Sequence, residues 1–219
     1  MKKIITYSLW GNDLKYTLGA IENAKALDDV FPDWLARFYC GTSVPKGIIR
    51  TLESYENVEV VIMEEKGSWN GMFWRFYPAS EEDVDVMISR DCDSRLTERE
   101  KSAVDEWLES DKSFHIMRDH PWHGTQILGG MWGVRGDILK NMKSMIDDYF
   151  KGDFWQVDQN FLKEKVYNRI KNDCFVHDSY HNYELFKRPF PLKRIAQEFV
   201  GEAFDKYNRP NMQHRSMIK

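Results

Sequence analysis

The sequence predicts a single-domain α/β protein with a mostly parallel central sheet flanked by helices. Three observations carry this. Short β-rich runs alternate with helically spaced apolar residues through the first half, the pattern of strand–helix–strand units. The 219 residues correspond to about one to one and a half domains, enough to bury a core without disulfides. No repeat, low-complexity tract or Gly/Ser linker divides them.

Lys3 to Leu9 (KIITYSL) reads as the first strand and breaks at Trp10-Gly11-Asn12-Asp13. Leu14, Leu18, Ile21 and Lys25 then fall at helical spacing, and Phe31-Pro32-Asp33 ends that helix. Leu35 to Cys40 is a second strand. Pro45 opens a short helix through Leu52, as Pro is favoured at the first helical position. Val58 to Met63 is a third strand. Met72 to Tyr77 is expected to form a short helix, and Val84 to Ser89 a fourth strand. Thr97 and Glu100 have capping-box spacing and predict a helix to about Leu108. Ser113 to Met117 is a strand, Arg118 to Gly130 a loop, and Met131 to Val134 a short strand. Helices are expected over Asp137 to Tyr149 and Asp158 to Ile170, a last strand over Cys174 to His177, and a helical tail after Leu192. Met142 and Met145 fit core positions.

Thirty-one Lys and Arg against 35 Asp and Glu give a net charge of −4, which argues against a nucleic-acid binder with a broadly basic surface. Mean hydropathy is −0.61, and no apolar run approaches the ~20 residues of a membrane span. The N-terminal run is too short and polar for a signal peptide. Cys40, Cys92 and Cys174 are odd in number and lack CxxC spacing, against a disulfide scaffold and in favour of a reducing, cytoplasmic compartment.

The most informative segment is VDVMISRDCDSRL, Val84 to Leu96. An apolar strand runs into Asp91-Cys92-Asp93. In extended backbone, side chains two apart point the same way, so both carboxylates face one side and Cys92 packs on the other. Ligands of open α/β sheets bind beyond the carboxyl ends of the strands. Two carboxylates there repel unless a cation joins them, and a hard divalent ion, Mn²⁺ or Mg²⁺, with a ligand's phosphates suits oxygen donors. The plainer alternative is a solvated turn capping the next helix. An aspartate-nucleophile phosphatase is discounted, because its acidic pair ends the first strand rather than the fourth.

Six segments in order then resemble a GT-A (Rossmann-like) glycosyltransferase, in particular the small nucleotide-sugar transferase domain encoded by large chlorella viruses and related bacterial and viral domains. They are SLWGNDLKYTLGAIENA (Ser8 to Ala24), GMFWRFYPASE (Gly71 to Glu81), RDCDSRL (Arg90 to Leu96), GGMWGVRG (Gly129 to Gly136), WQVDQNFL (Trp155 to Leu162) and VHDSY (Val176 to Tyr180). The resemblance implies a nucleotide-binding half of about residues 1–95 and an acceptor-side half of about 96–219. It implies a UDP-sugar donor bound by Ser8, Leu9, Trp10, Gly11, Tyr16, Arg75, Asp91, Cys92, Asp93, Gly130 and Trp132, with Gly129 beside them. It places Mn²⁺ or Mg²⁺ on Asp91, Asp93 and His177, and the reacting centre near Asp158 and Gln159. No Gly/Lys-rich loop follows His177, a departure from the family pattern. The implied reaction is hexosyl or deoxyhexosyl transfer to a glycan acceptor, with the viral likeness leaning towards retention and towards the host cytoplasm if the chain is viral.

Arg75, Arg90 and Arg95 are candidate cations for a departing diphosphate. Asp158 is also a natural N-cap. His120, Trp122 and His123 are either an exposed polar loop or an acceptor-binding loop, since a His–Trp pair offers hydrogen bonds and a stacking face. His115 alternates into a strand and reads as structural. The basic tail reads as solvated surface, with a membrane or partner contact the lesser reading. Two other classes compete. A non-catalytic sugar-binding module would rest on the Trp-rich loops. A nucleotidylyltransferase is disfavoured, because the loop after the first strand has one Gly and no Lys or Arg between Ser8 and Asp13. Aromatics make up 14% of the chain, with eight Trp. Trp34 and Trp107 fall at ordinary positions. Trp10, Trp69, Trp74, Trp122, Trp132 and Trp155 lie in or beside the motif loops and are expected to crowd the crevice near Asp91 and Asp93.

Overall fold

A computed structural model describes residues 1–149 and 151–218. Seven strands form one sheet in the order β3-β2-β1-β4-β6-β5-β7. They are β1 (Lys3–Leu9), β2 (Leu35–Cys40), β3 (Val58–Ile62), β4 (Val86–Ser89), β5 (Phe114–Arg118), β6 (Trp132–Arg135) and β7 (Cys174–Asp178). β1 pairs in parallel with β2 and β4, β2 with β3, and β5 with β7; only β6 runs against its neighbours β4 and β5. This is the mostly parallel α/β sheet read from the sequence. The crossover helices are α1 (Leu14–Val30), α2 (Lys46–Glu53) and α3 (Glu98–Glu109).

Local chemistry explains where these elements begin. Asp13 accepts from the Lys15 amide at 2.9 Å and caps α1. Thr97 accepts from the Glu100 amide at 3.2 Å and caps α3. The Glu100 side chain does not close the box, because it is buried against Arg90. Two apolar layers sandwich the sheet. One gathers Ile4, Phe76, Met87, Phe114 and Trp132 with α4 (Met142–Asp147), which carries Met142 and Met145. The other gathers Tyr7, Phe38, Ile88 and Trp107 beneath α1 and α3.

Three expectations need correction. Trp69–Ser80 is one long 3₁₀ segment rather than a short helix. Its backbone is claimed from the sheet: the Thr6 hydroxyl donates to the Arg75 carbonyl at 2.7 Å and the Arg75 amide donates to the Ser8 hydroxyl at 3.1 Å. The helix expected over Asp158 to Ile170 is α5 (Val157–Phe161), a π turn (Leu162–Val166) and α6 (Tyr167–Ile170). The tail after Leu192 is largely irregular, with α7 reduced to Met212–Arg215. Val200 packs with Ala103 of α3 and Met117 of β5, and Phe199 packs on His120 and His123. Among the described residues, no helix is long and apolar enough to cross a membrane.

Candidate active site

The carboxyl ends of β1 and β4 open together, since Thr6 pairs with Ser89 and the Arg90 amide donates to the Thr6 carbonyl at 3.0 Å. The turn that follows, Asp91 to Leu96, is held from α1. Asn23 donates to the carbonyls of Cys92 at 3.3 Å and Ser94 at 2.9 Å and accepts from the Leu96 amide at 3.2 Å. Gly19 lets α1 approach, as any Cβ there would overlap the Cys92 carbonyl. Cys92 is buried against the sheet, and burial pushes its thiol well above the ordinary range. Asp91 and Asp93 both turn into a hollow of about 230 Å³.

Arg75 organises that hollow. The side chain is buried; one guanidinium nitrogen donates to Asp91 and to the Arg90 carbonyl at 3.1 Å, and the other to Asp158 at 2.9 Å. Its Nε has no partner among the described residues. Burial pulls the guanidinium pKa down, but Asp91 and Asp158 outweigh it and the net shift is upward. Lys15 Nζ lies 2.6 Å from Asp93. Burial raises the Asp93 carboxyl, the charge of Asp91 adds to this, and Lys15 opposes it. Burial likewise raises Asp158 against the pull of Arg75. Three carboxylates therefore face two cations, and the hollow favours further positive charge. No second side chain reaches Asp91 or Asp93 among the described residues.

The opposite wall is Gly129-Gly130. The Ser89 hydroxyl donates to the Gly129 carbonyl at 2.7 Å. A Cβ on Gly129 would overlap Asp158, and one on Gly130 would overlap Asp91. Gln156, beside them, has φ 69°, left-handed and rare for a residue other than Gly. It lets Asp158 enter the hollow from the first turn of α5. Asp158 is thus held by Arg75 and does not cap the helix. Tyr16, Trp69, Met72, His123, Trp155 and Gln159 also line it, with Leu128, Met131 and Gly201. A larger hollow of about 410 Å³ lies by Trp74 and Tyr149 and is bordered instead by Glu65, Lys66 and Asp147.

No family model and no curated protein matches the chain. Solved structures do. A glycosyltransferase involved in the glycosylation of the major capsid of PBCV-1 is 17% identical, with 81% of this chain and 82% of that one covered and a TM-score of 0.54. Staphylococcus aureus TarS 1–349 in complex with UDP-GlcNAc is 12% identical, covering 89% and 60%, with a TM-score of 0.56. The mannosyltransferase PcManGT from Pyrobaculum calidifontis, in complex with GDP-Man and Mn²⁺, is 11% identical, covering 82% and 55%, with a TM-score of 0.55. The fold is that of GT-A glycosyltransferases. The chain spans just over half the length of the latter two structures.

Within this GT-A fold the predicted residues separate. Tyr16, Arg75, Asp91, Asp93, Gly130, Asp158, Gln159 and His123 share the hollow. Ser8 and Leu9 do not line it; Ser8 anchors the 3₁₀ segment and Leu9 is core. Gly11 turns the chain with φ 73° and donates to the Ser43 hydroxyl at 2.7 Å. Trp10 packs edge-on to Trp69 and Trp74, while Trp69 and Trp155 line the hollow.

Three assignments are corrected, those of Trp132, His120 and His177, while Trp122 simply lies elsewhere. Trp132 is fully buried, stacked on Phe114 at 5.2 Å. His120 is buried, held by the His214 carbonyl at 3.0 Å and packed on Phe199. Trp122 is exposed outside the hollow. His177 is buried away from Asp91 and Asp93, its Nε2 3.0 Å from Glu106 and its Nδ1 2.8 Å from His115. Of the candidate cations, Arg90 is buried against Glu100, and Arg95 donates to the Ser94 carbonyl and Asn208. Sequence reasoning missed Lys15, Asn23 and Gln156. Lys15, in the first turn of the helix after the first strand, was the one with a readable signal.

Proposed function

We propose that this chain is a metal-dependent glycosyltransferase that moves a hexose or deoxyhexose from a UDP-sugar to a glycan acceptor with retention. The observation that carries the reading is the meeting of Asp91, Asp93, Arg75 and Asp158 around one hollow at the carboxyl edge of the sheet. The UDP- and UDP-GlcNAc-bound TarS structures and the GDP-Man- and Mn²⁺-bound PcManGT structure share its fold.

Asp91 and Asp93 suit a hard divalent ion. Each offers carboxylate oxygen to the same hollow, and nearby negative charge exceeds positive. The described residues supply no group of three ligands, so the donor's phosphates and water would complete the shell. When bound, Mn²⁺ or Mg²⁺ supplies Lewis-acid stabilisation of the departing diphosphate. Arg75 and Lys15 add fixed positive charge on the same side. Arg75 opposes the upward push of burial on the Asp158 carboxyl, and Asp158 is placed to stabilise positive charge developing on the sugar ring. Gly129 and Gly130 admit the sugar close to the backbone, with Trp155 and Trp69 offering apolar faces. His123 is held neutral, since burial lowers its pKa to about 3, and serves as a hydrogen-bonding wall towards the acceptor.

Titration with UDP in the presence and absence of Mn²⁺ tests the reading, followed by a screen of UDP-sugars for slow hydrolysis. Metal-enhanced UDP binding that is lost in Asp93→Ala supports it. Glycan binding without metal or nucleotide, and no hydrolysis of any donor, would establish a non-catalytic sugar-binding module instead. The anomeric configuration of the product, read by NMR, tests retention.

A further inference from the structure

We infer that the loop and tail around Leu185 to Ile195 form a docking surface for an anionic lipid bilayer. Leu185 and Phe186 are consecutive and 95% and 88% exposed, and Ile195 is 75% exposed. No described side chain covers them, an unusual cost for adjacent large apolar groups on a chain of this polarity. Basic residues lie between them. A surface hollow of about 720 Å³ is lined by Arg99, Lys187, Arg188, Lys193 and Arg194. The segment from Leu185 to Ile195 itself carries Lys187, Arg188, Lys193 and Arg194 and no Asp or Glu. Of the neighbouring carboxylates, Asp119 pairs with Arg99 and Arg194, Glu106 with Arg188, and Glu184 with Arg118. Asp178 also borders the hollow but is already held by Arg118 at 2.5 Å.

The patch is continuous. Lys187 and Arg188 border both this hollow and the one beside Leu185 and Phe186. Leu192 and Lys193 border both this hollow and the one beside Ile195. The rest of the molecule carries a compensating negative excess, because the whole chain is −4. An anionic surface therefore repels the molecule generally and attracts this face, which orients it. Apolar side chains that project from a loop need a matching pocket on a protein partner, whereas a bilayer interface accepts them with no pocket. That favours lipid over an acidic protein.

The face also touches the hollow at the sheet edge. Asp119 holds Arg99 and Arg194 through its carboxylate, and its amide donates to His123 Nδ1 at 3.0 Å. Docking thus presents one wall of that hollow at a fixed angle to the membrane. The inference needs neither donor nor metal and stands apart from the proposed reaction.

Co-flotation of the full chain with vesicles tests it. Phosphatidylcholine vesicles with about one-third phosphatidylglycerol are expected to carry the protein at low salt, and pure phosphatidylcholine vesicles are not. Lys187→Gln with Lys193→Gln should weaken binding by roughly fivefold per charge. Leu185→Ser with Phe186→Ser should weaken it at least roughly tenfold. Both pairs lie on the surface, and unchanged thermal melting would show that they fold. Absence of binding to anionic vesicles overturns the inference. So does binding that the Leu185/Phe186 pair leaves unchanged, which would make the contact purely ionic. Concentration-dependent dimerisation abolished by the same pair, with no flotation, would assign the face to a second copy of the chain.

Discussion

Two buried polar clusters in this molecule use similar residues and differ in closure. At the sheet edge, Arg75 divides its guanidinium between Asp91 and Asp158 while Lys15 holds Asp93, and all the carboxylates border open space. On β5 and β7, His115 meets His177 at 2.8 Å and His177 meets Glu106 at 3.0 Å on one face, while Arg118 is locked between Asp178 and Glu184 on the other. The Glu106 contact fixes a proton on His177 Nε2. His177 Nδ1 must then accept from His115 Nε2, which leaves His115 Nδ1 the bare acceptor without a partner. The second cluster is nearly self-satisfied and sits on the strands. The first leaves negative charge unmatched and sits beyond them. Both contain residues that looked chemical in the sequence, but only an unclosed cluster at a strand end has capacity for a ligand.

The largest effect should come from Arg75→Met. It strands Asp158 in a buried position and removes the only guanidinium on Asp91 among the described residues. We expect a stability loss of about 3–5 kcal/mol in urea unfolding and a fall in donor turnover of about 10²–10³-fold. A variant that keeps its turnover would show that the edge cluster is as structural as the other. Gly130→Ala comes next. Its Cβ would collide with the Asp91 carboxylate and crowd the Asp91 amide, so turnover should drop roughly 100-fold, with a stability loss of about 1–3 kcal/mol in urea unfolding.

Acid titration should expose the closed cluster. Burial lowers His115 well below the ordinary histidine value, and lowers His177 with Glu106 opposing. A histidine whose folded pKa is depressed leaves stability intact above its unfolded pKa of about 6.5. Below that, the unfolded chain takes up protons that the folded chain refuses. Each such histidine then removes about 1.4 kcal/mol per pH unit until its folded pKa is reached. His115→Gln should flatten the decline between neutral pH and pH ~5 relative to the parent, measured by urea unfolding. Equal slopes would mean that His115 is already protonated in the fold.

The sequence disclosed this contrast unevenly. The strand ending at Asp91-Cys92-Asp93 was readable, because an apolar run, a period of two and an acidic pair are all local. The Gly129-Gly130 wall was readable as a place of close approach, though not what approaches it. His177 misled, because a histidine ending a strand looks the same whether its ring meets a crevice or the underside of a helix. Glu106, 71 residues away, decides which. Trp132 misled similarly: β6 pairs antiparallel to β4, and its position opposite Ser89 sends the ring into the core rather than the crevice. Gln156 had no signal, because only the packing of α5 against Arg75 and Gly129 imposes its left-handed backbone. The tail failed for a further reason. The tail after Leu192 looked helical, but Val200 and Phe199 are drawn to different neighbours, Ala103 and Met117 for the one and His120 and His123 for the other.

The smallest effect is the most discriminating one. Lys15 is about one-third exposed, and its bridge to Asp93 is worth little by itself, so Lys15→Met should barely change stability. In the edge cluster, however, the ammonium occupies carboxylate oxygen that a divalent ion would use. Removing it should tighten Mn²⁺ binding in the absence of nucleotide by roughly twofold to fivefold, read by electron paramagnetic resonance of free Mn²⁺. UDP binding should weaken by a similar factor, because the same ammonium is a cation for the diphosphate. Opposite signs for metal and nucleotide are what an unclosed cluster requires, since one resident cation both competes with the ion and assists the anion. If both affinities fall together, Lys15 merely shapes the Asp93 turn, and the open site is built more like the closed one than its geometry implies.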